Sequence, residues 1–171
     1  DVDSSDLELI QDTNGEQLVG LRFPALPIPA GVTILNAYIE FTADQKDDMP
    51  TTLIFQGEAS ANAAPFAEPN SDISQRTLTT ASVTWMDLPA WMAGGERQQT
   101  PDLVPIMQEI VDQAGWQSGN AVAFVISGTG KRTATAYDGN PAQAPQLVVE
   151  YVQPMPTATF TPLPSVTATS T

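Results

Sequence analysis

The chain contains no cysteine and no histidine among its 171 residues. The absence of cysteine excludes disulfide bonds, thiolate zinc sites and cysteine nucleophiles. The absence of histidine removes the commonest transition-metal ligand and the side chain that most often acts as a general base near neutral pH. Oxygen donors remain available for a metal ion, and calcium is the metal that they suit best.

Basic side chains are scarce as well. Six Lys and Arg stand against twenty Asp and Glu, which gives a formal charge of −14 at pH 7. A surface with this charge repels both a nucleic-acid backbone and an anionic membrane surface. The sequence also has no apolar run of about 18 residues, the length that spans a bilayer. We therefore expect neither nucleic-acid binding nor membrane insertion.

The first residues form an acidic, strand-like segment, without an initiator Met and without a basic and then apolar leader. This beginning is typical of a secreted protein whose signal peptide has been removed. We therefore expect a secreted protein that acts outside the cell or on the cell surface.

Most of the chain is predicted to form short strands separated by turns. The dipeptide Asn14-Gly15 lies between two alternating segments, residues 6–11 and 17–23, and predicts a β-hairpin. The other predicted strands are residues 32–43, 51–60, 80–86, 120–127, 131–138 and 145–152. In the longest of them, the face expected to be buried consists of Leu35, Ala37, Ile39 and Phe41.

One helix is predicted, from Thr100 to Gly115. Thr100 is a candidate N-cap, Pro101 occupies a first-turn position where a missing N–H costs nothing, and apolar residues follow at helical spacing. Many strands and a single short helix predict an all-β fold, an antiparallel β-sandwich or jelly roll. We assign this domain to residues 1–152 and an extended Pro/Thr-rich tail to residues 153–171.

Several segments of the predicted domain follow one another in an order that is known from a protein family. They read "VGLRFPALPIPAGVTILNAYIEFTA", "TTASVTWMDLPAW", "GWQSGNAVAFVISGTGKRTATAYDG" and "APQLVVEY". This order resembles that of DNRLRE-type secreted jelly-roll domains, which are related to carbohydrate-binding-module-like β-sandwiches. The resemblance covers about residues 6–151 and implies an exported domain of a surface protein or of a polysaccharide-degrading enzyme. The fold itself implies no reaction.

Three acidic residues are candidates for a structural calcium site. Asp6 and Glu8 share one face of a strand, and Asp138 ends a strand that jelly-roll topology can bring next to the N-terminal strand. The resemblance to calcium-stabilised carbohydrate-binding sandwiches implies the same ion. The alternative is that the three carboxylates are exposed strand residues without a metal.

Paired carboxylates are the enzyme chemistry that this composition leaves most accessible. The candidates are Glu58, Glu68, Asp87 and Glu96. On so acidic a surface we interpret them as solvated side chains, and we predict a protein that is not an enzyme. Arg22, between two apolar strand residues, is interpreted as a structural arginine with a paired charge.

The three tryptophans are candidates for stacking on a sugar ring. Trp85 lies on an alternating strand and Trp116 follows the end of the predicted helix, so both are expected in the core. Trp91 lies between proline and glycine residues and is expected to be the most exposed of the three. It is therefore the residue predicted to bind carbohydrate.

The tail has the composition of a linker, rich in Pro and Thr and without charge. Four apolar residues interrupt this composition: Met155, Phe160, Leu163 and Val166. Threonines alternate around Phe160 as they would in a strand. An extended segment of this kind can add to the free sheet edge of a neighbouring copy, and head-to-tail repetition of that contact builds an open filament.

The first expectation for function is therefore a non-enzymatic extracellular structural protein. It would be the subunit of a surface filament or pilus-like homopolymer, and the four apolar tail residues would dock on a neighbouring copy. The alternative is a carbohydrate-binding or adhesive module of a larger secreted protein, in which the tail is a spacer and the partner is a polysaccharide.

Overall fold

The computed structural model describes residues 4–13, 15–67 and 72–154. The strands in these ranges are β1 (Asp6–Asp12), β2 (Gly15–Glu16), β3 (Val19–Phe23), β4 (Thr33–Thr42), β5 (Thr52–Glu58), β6 (Leu78–Trp85), β7 (Arg97–Gln99), β8 (Val122–Thr129), β9 (Lys131–Thr135) and β10 (Gln146–Val152). The helices are α1 (Asp72–Gln75) and α2 (Val104–Val111). Neither of these helices is long and apolar enough to cross a membrane.

The strands form three antiparallel sheets, with the orders β3-β8-β5-β6, β10-β4-β7 and β2-β1-β9. A single bridge from Ala43 to Ala134 connects the end of β4 to β9. One buried apolar cluster collects side chains from all three sheets and from α2, among them Leu9, Ile39 and Ile106. The predicted fold class, an all-β antiparallel sandwich, is confirmed.

The predicted hairpin is wrong in its second half. The end of β1 pairs only with the two-residue strand β2, while β3 joins another sheet and pairs with β8. Within β1, Ile10 has a φ of 89°, which is unusual for a β-branched residue. Leu9 and Ile10 are consecutive, yet both are buried. The positive φ at Ile10 interrupts the alternation of the strand, so that two neighbouring apolar side chains are both in the core.

Strand β4 changes its alternation part-way along. Leu35 belongs to the predicted buried face, but it is 58% exposed, whereas Ile34 is 3% exposed. The pairing with β10 skips Leu35, because Tyr151 faces Ile34 and the preceding residue of β10 faces Asn36. This β-bulge shifts the inward-facing positions by one. The expectation for Leu35 is therefore wrong, while the other three residues of the predicted face are buried.

The predicted helix is present but shorter, from Val104 to Val111. Thr100 is not its N-cap, because its hydroxyl oxygen accepts a hydrogen bond from the N–H of Ile39 at 3.1 Å and thereby joins the loop to β4. Pro105 takes the first-turn position instead. Gly115 lies beyond the last helical residue, in a turn with a φ of 100°. The second helix, α1, was not predicted.

Candidate binding groove

An open groove of about 1270 Å³ lies where β1 and β3 separate into different sheets. The segment that leads into β3 is tied to β1, where the N–H of Gln17 donates to the carbonyl of Ile10 at 2.8 Å. The walls of this β1–β3 groove include residues 6–8, 18–24, 65–67 and 136–138. Sequence patterns did not predict it, because it arises from the divergence of the two strands.

The three predicted calcium ligands, Asp6, Glu8 and Asp138, all line this groove. β1 pairs with β9, and Asp6 faces Thr135 in that pairing. The turn after β9 approaches the N-terminal segment closely at Gly139, where a Cβ would lie 2.0 Å from the backbone oxygen of Ser5. Within the described ranges, however, no three acidic side chains converge on a position for a metal ion. Calcium binding stays a prediction.

Arg76 organises the loop that forms one wall of the groove. Its guanidinium is within 2.5 Å of Glu58 and 2.7 Å of Asp72, and its side chain is only 7% exposed. The hydrogen bond from Arg76 lowers the pKa of the Asp72 carboxyl, against a smaller effect of burial. Burial opposes the charge of Arg76, but its hydrogen bonds to Asp72 and Glu58 outweigh that effect and raise its pKa. The wall is thus held by charged contacts that are partly shielded from water.

Phe66 places this wall directly on strand β3. Its ring lies under the guanidinium of Arg76, 4.2 Å from the Cζ atom to the ring centre. The ring also occupies the space above Gly20, where a Cβ would be 2.6 Å from a ring carbon. Arg22 supports the same loop, since its Nε donates to the carbonyl of Ala63 at 2.9 Å. The groove is therefore preformed rather than a gap between loose segments.

Arg22 has the structural role that was expected, but not the expected ionic partner. Among the residues that the structure describes, no carboxylate forms a salt bridge with it. The partly buried ion pairs belong to Arg76, which sequence reasoning did not single out. The spacing of Asp72 and Arg76 by four positions was the one available signal, because such pairs meet on a helix surface.

The most deeply buried cation is Arg132, which is 1% exposed. Its guanidinium donates to the carbonyl oxygens of Met49, Leu88, Pro89 and Lys131 and to the hydroxyl of Thr51. Burial lowers the pKa of Arg132, and the charges of Asp47 and Asp48 counteract this effect. Arg132 joins two loops to β9 through neutral acceptors, a role without a sequence signature.

Trp91 corrects the prediction about the tryptophans. It is fully buried, at 0% exposure, and it exchanges backbone hydrogen bonds of 2.9 and 3.0 Å with Asp47. Its ring offers no free face to a sugar, so the expectation that it is exposed is wrong. Trp116 is buried as expected, and its indole N–H donates to the carbonyl of Ile28 at 3.0 Å. Trp85 is half-buried.

Two of the candidate catalytic carboxylates make structural contacts. Glu58 pairs with Arg76, and Glu96 accepts a hydrogen bond from the N–H of Met92 at 2.9 Å. Asp87 lies in a turn with a φ of 50°. Glu68 lies outside the described residues. The absence of enzymatic activity stays a prediction.

The polar and apolar residues of the groove define what it can bind. Its acidic residues are Asp6, Glu8, Asp12, Asp72 and Asp138, and its basic residue in the described ranges is Arg22. Tyr137 and Leu18 are 68% and 40% exposed on the same walls. Such a surface repels an acidic ligand and offers both apolar contacts and hydrogen-bond acceptors to an uncharged, extended one.

No family model and no curated protein matches this chain. The resemblance to DNRLRE-type domains therefore stays a prediction. The predicted docking residues Met155, Phe160, Leu163 and Val166 lie outside the described residues. Their role stays a prediction as well.

Proposed function

We propose that this protein is a non-enzymatic extracellular structural subunit of a surface filament or pilus-like polymer, in which the tail of one copy docks on a neighbouring copy. The observation that supports it most is the position at which the tail leaves the domain. Strand β10 begins at Gln146, which lines the groove, and ends at Val152. At about 3.4 Å per residue, the tail thus begins about 20 Å from that point of the groove.

This arrangement separates the start of the tail from the groove. A tail that reaches the groove of the next copy makes a head-to-tail contact, which leaves one groove and one tail free at the two ends of any oligomer that does not close into a ring. Exposed apolar side chains also surround the point of exit, since Leu35, Tyr151 and Val152 are 58%, 36% and 47% exposed. An adjoining subunit would cover them. The extracellular location is part of the proposal and rests on the sequence alone.

Deletion of residues 155–171 is expected to abolish assembly. The full chain should form polymers that sediment rapidly and appear as fibres in negative-stain images, while the shortened chain stays monomeric. The far-UV circular dichroism and melting temperature should be unchanged, because β10 and the core are intact. Thr169→Ala, which leaves the four apolar tail residues in place, is the matched control and should assemble. Fibres from the shortened chain, or a full chain that remains monomeric at high concentration, would contradict the proposal.

A second candidate function is carbohydrate binding, and the exposure of Tyr137 favours it. An exposed aromatic ring beside the carboxylates of Glu8 and Asp138 can stack on a pyranose while the acidic groups accept hydrogen bonds from its hydroxyls. In this case the tail is a spacer within a larger protein.

Tyr137→Ala is expected to reduce the affinity for a neutral polysaccharide at least about tenfold if the groove binds sugar, since the loss of a stacked ring costs roughly 1.5 kcal/mol or more. Tyr151→Ala, an aromatic residue that does not line the groove, is the control. The titration is done by calorimetry on ligands chosen from a glycan array. An array without hits would contradict this candidate.

The calcium prediction is tested by repeating the titration and a thermal melt in the presence of a chelator. It fails if the affinity and the melting temperature stay unchanged.

A further inference from the structure

We infer that the β1–β3 groove is the acceptor for the tail of a second copy, with residues 157–161 added as a strand along the outer edge of β3. This inference rests on the proposed function and names the surface on which it depends.

Strand β3 is an edge strand in the part of the chain that the structure describes. It pairs with β8 on one side. On its other side, across the groove, lies β1, which is already paired with β9 and β2. The edge of β3 that faces the groove therefore has backbone groups without a strand partner. Such an edge is a template for the addition of an extended segment.

The wall next to this edge is held in place before any ligand arrives. Phe66 rests on Gly20 and under Arg76, and Arg76 is fixed by two carboxylates. A preformed wall lowers the ordering cost of association, because only the incoming segment loses conformational freedom. Leu18 and Tyr137, both exposed, provide apolar surface for a bulky side chain such as Phe160.

The charge of the groove selects among the segments of this protein. Five acidic residues and one arginine line it, so acidic segments of the chain are repelled. Residues 151–171 form the longest stretch without a charged side chain, and they begin directly after Glu150. The tail is therefore a segment of a neighbouring copy that the charge of this groove does not repel.

The tail also has the required length. Residues 157–161 number five, as does β3, and would span about 17 Å as an extended strand. Their sequence, Thr-Ala-Thr-Phe-Thr, contains no proline, so each residue can donate to a ladder. The prolines before and after this segment, Pro156 and Pro162, confine the pairing to these five residues.

Disulfide trapping in the full chain tests this inference, because the natural sequence has no cysteine that interferes. Two double variants, Leu18→Cys with Thr159→Cys and Tyr137→Cys with Thr159→Cys, place one thiol on the groove and one beside Phe160. Met86→Cys with Thr159→Cys is the control, since Met86 is 67% exposed but does not line the groove. After mild oxidation, at least one groove pair should give a ladder of covalent multimers on a non-reducing gel, several-fold above the control.

The outcomes separate this inference from the proposed function. If polymers form and require the tail, but neither groove pair exceeds the control, the groove is not the acceptor and the filament proposal stands. A fast-migrating, internally linked monomer means that the tail returns to its own groove, which overturns the contact between copies. A polysaccharide that binds in a Tyr137-dependent manner, without any ladder, makes the groove a sugar site and overturns the inference.

Discussion

Replacement of Arg132 by methionine is expected to lower the free energy of unfolding by about 3–5 kcal/mol. The methionine fills a similar volume, but it leaves the carbonyl oxygens of several residues without their donor, among them those of Leu88 and Met49, which now accept bonds of 2.8 and 2.6 Å. Each buried acceptor that loses its partner costs about 1–3 kcal/mol, and partial access of water reduces the total. Urea denaturation followed by tryptophan fluorescence measures the effect.

Arg132→Lys is the matched variant, because it keeps the positive charge and removes the planar fork of donors. Lysine presents its donors from a single nitrogen and cannot reach acceptors on both loops, so we expect an intermediate loss of stability. A loss below about 1 kcal/mol for the methionine variant would show that the carbonyl oxygens find other donors. In that case Arg132 does not hold the two loops on β9.

Replacement of Trp91 by alanine is expected to destabilise the protein by about 3–5 kcal/mol, the usual cost of removing a fully buried large aromatic side chain. Trp91→Phe should cost clearly less. The indole N–H of Trp91 has no hydrogen-bond partner in the described part of the structure, so phenylalanine loses volume but no bond. Thermal and urea unfolding of the three proteins should give stability that increases from the alanine variant to the phenylalanine variant to the wild type.

This pair of variants also separates packing from sugar binding at Trp91. A tryptophan that served as an exposed platform would change stability by no more than about 0.5 kcal/mol when it is replaced by alanine. It would instead change affinity for a ligand. Unchanged unfolding of Trp91→Ala would therefore contradict the buried position of this ring.

The strands could be predicted from the sequence because period-two alternation and turn residues are local signals. The prediction of the fold fails where a local feature depends on a partner that is distant in the sequence. Leu35 is exposed instead of buried because β10, more than a hundred residues later, pairs with β4 through a bulge. The second half of the predicted hairpin was wrong because β3 pairs with β8, which no turn chemistry near Asn14 can specify.

The candidate site was predictable in one respect. Asp138 was expected near the N-terminal strand, and the pairing of β1 with β9, in which Asp6 faces Thr135, agrees with that placement. The groove was not predictable, because its wall depends on contacts such as that of Phe66 with Gly20 that lack any sequence period. Trp91 was mistaken for a surface residue for a related reason. Prolines and glycines around it indicate a loop, and only the bridge to Asp47 shows that this loop is folded inward.

The pairing of β1 with β9 has a consequence for the order in which the chain folds. Asp6 faces Thr135, so the N-terminal strand gains its main partner only when nearly the whole domain is available. Contacts of such long sequence separation make all-β domains slow to fold, typically within milliseconds to seconds. Until then β1 has only its short hairpin with β2, which is too small to be stable alone. The first strand of this domain is thus expected to be among the last to be fixed, and the groove beside it is completed at the end of folding.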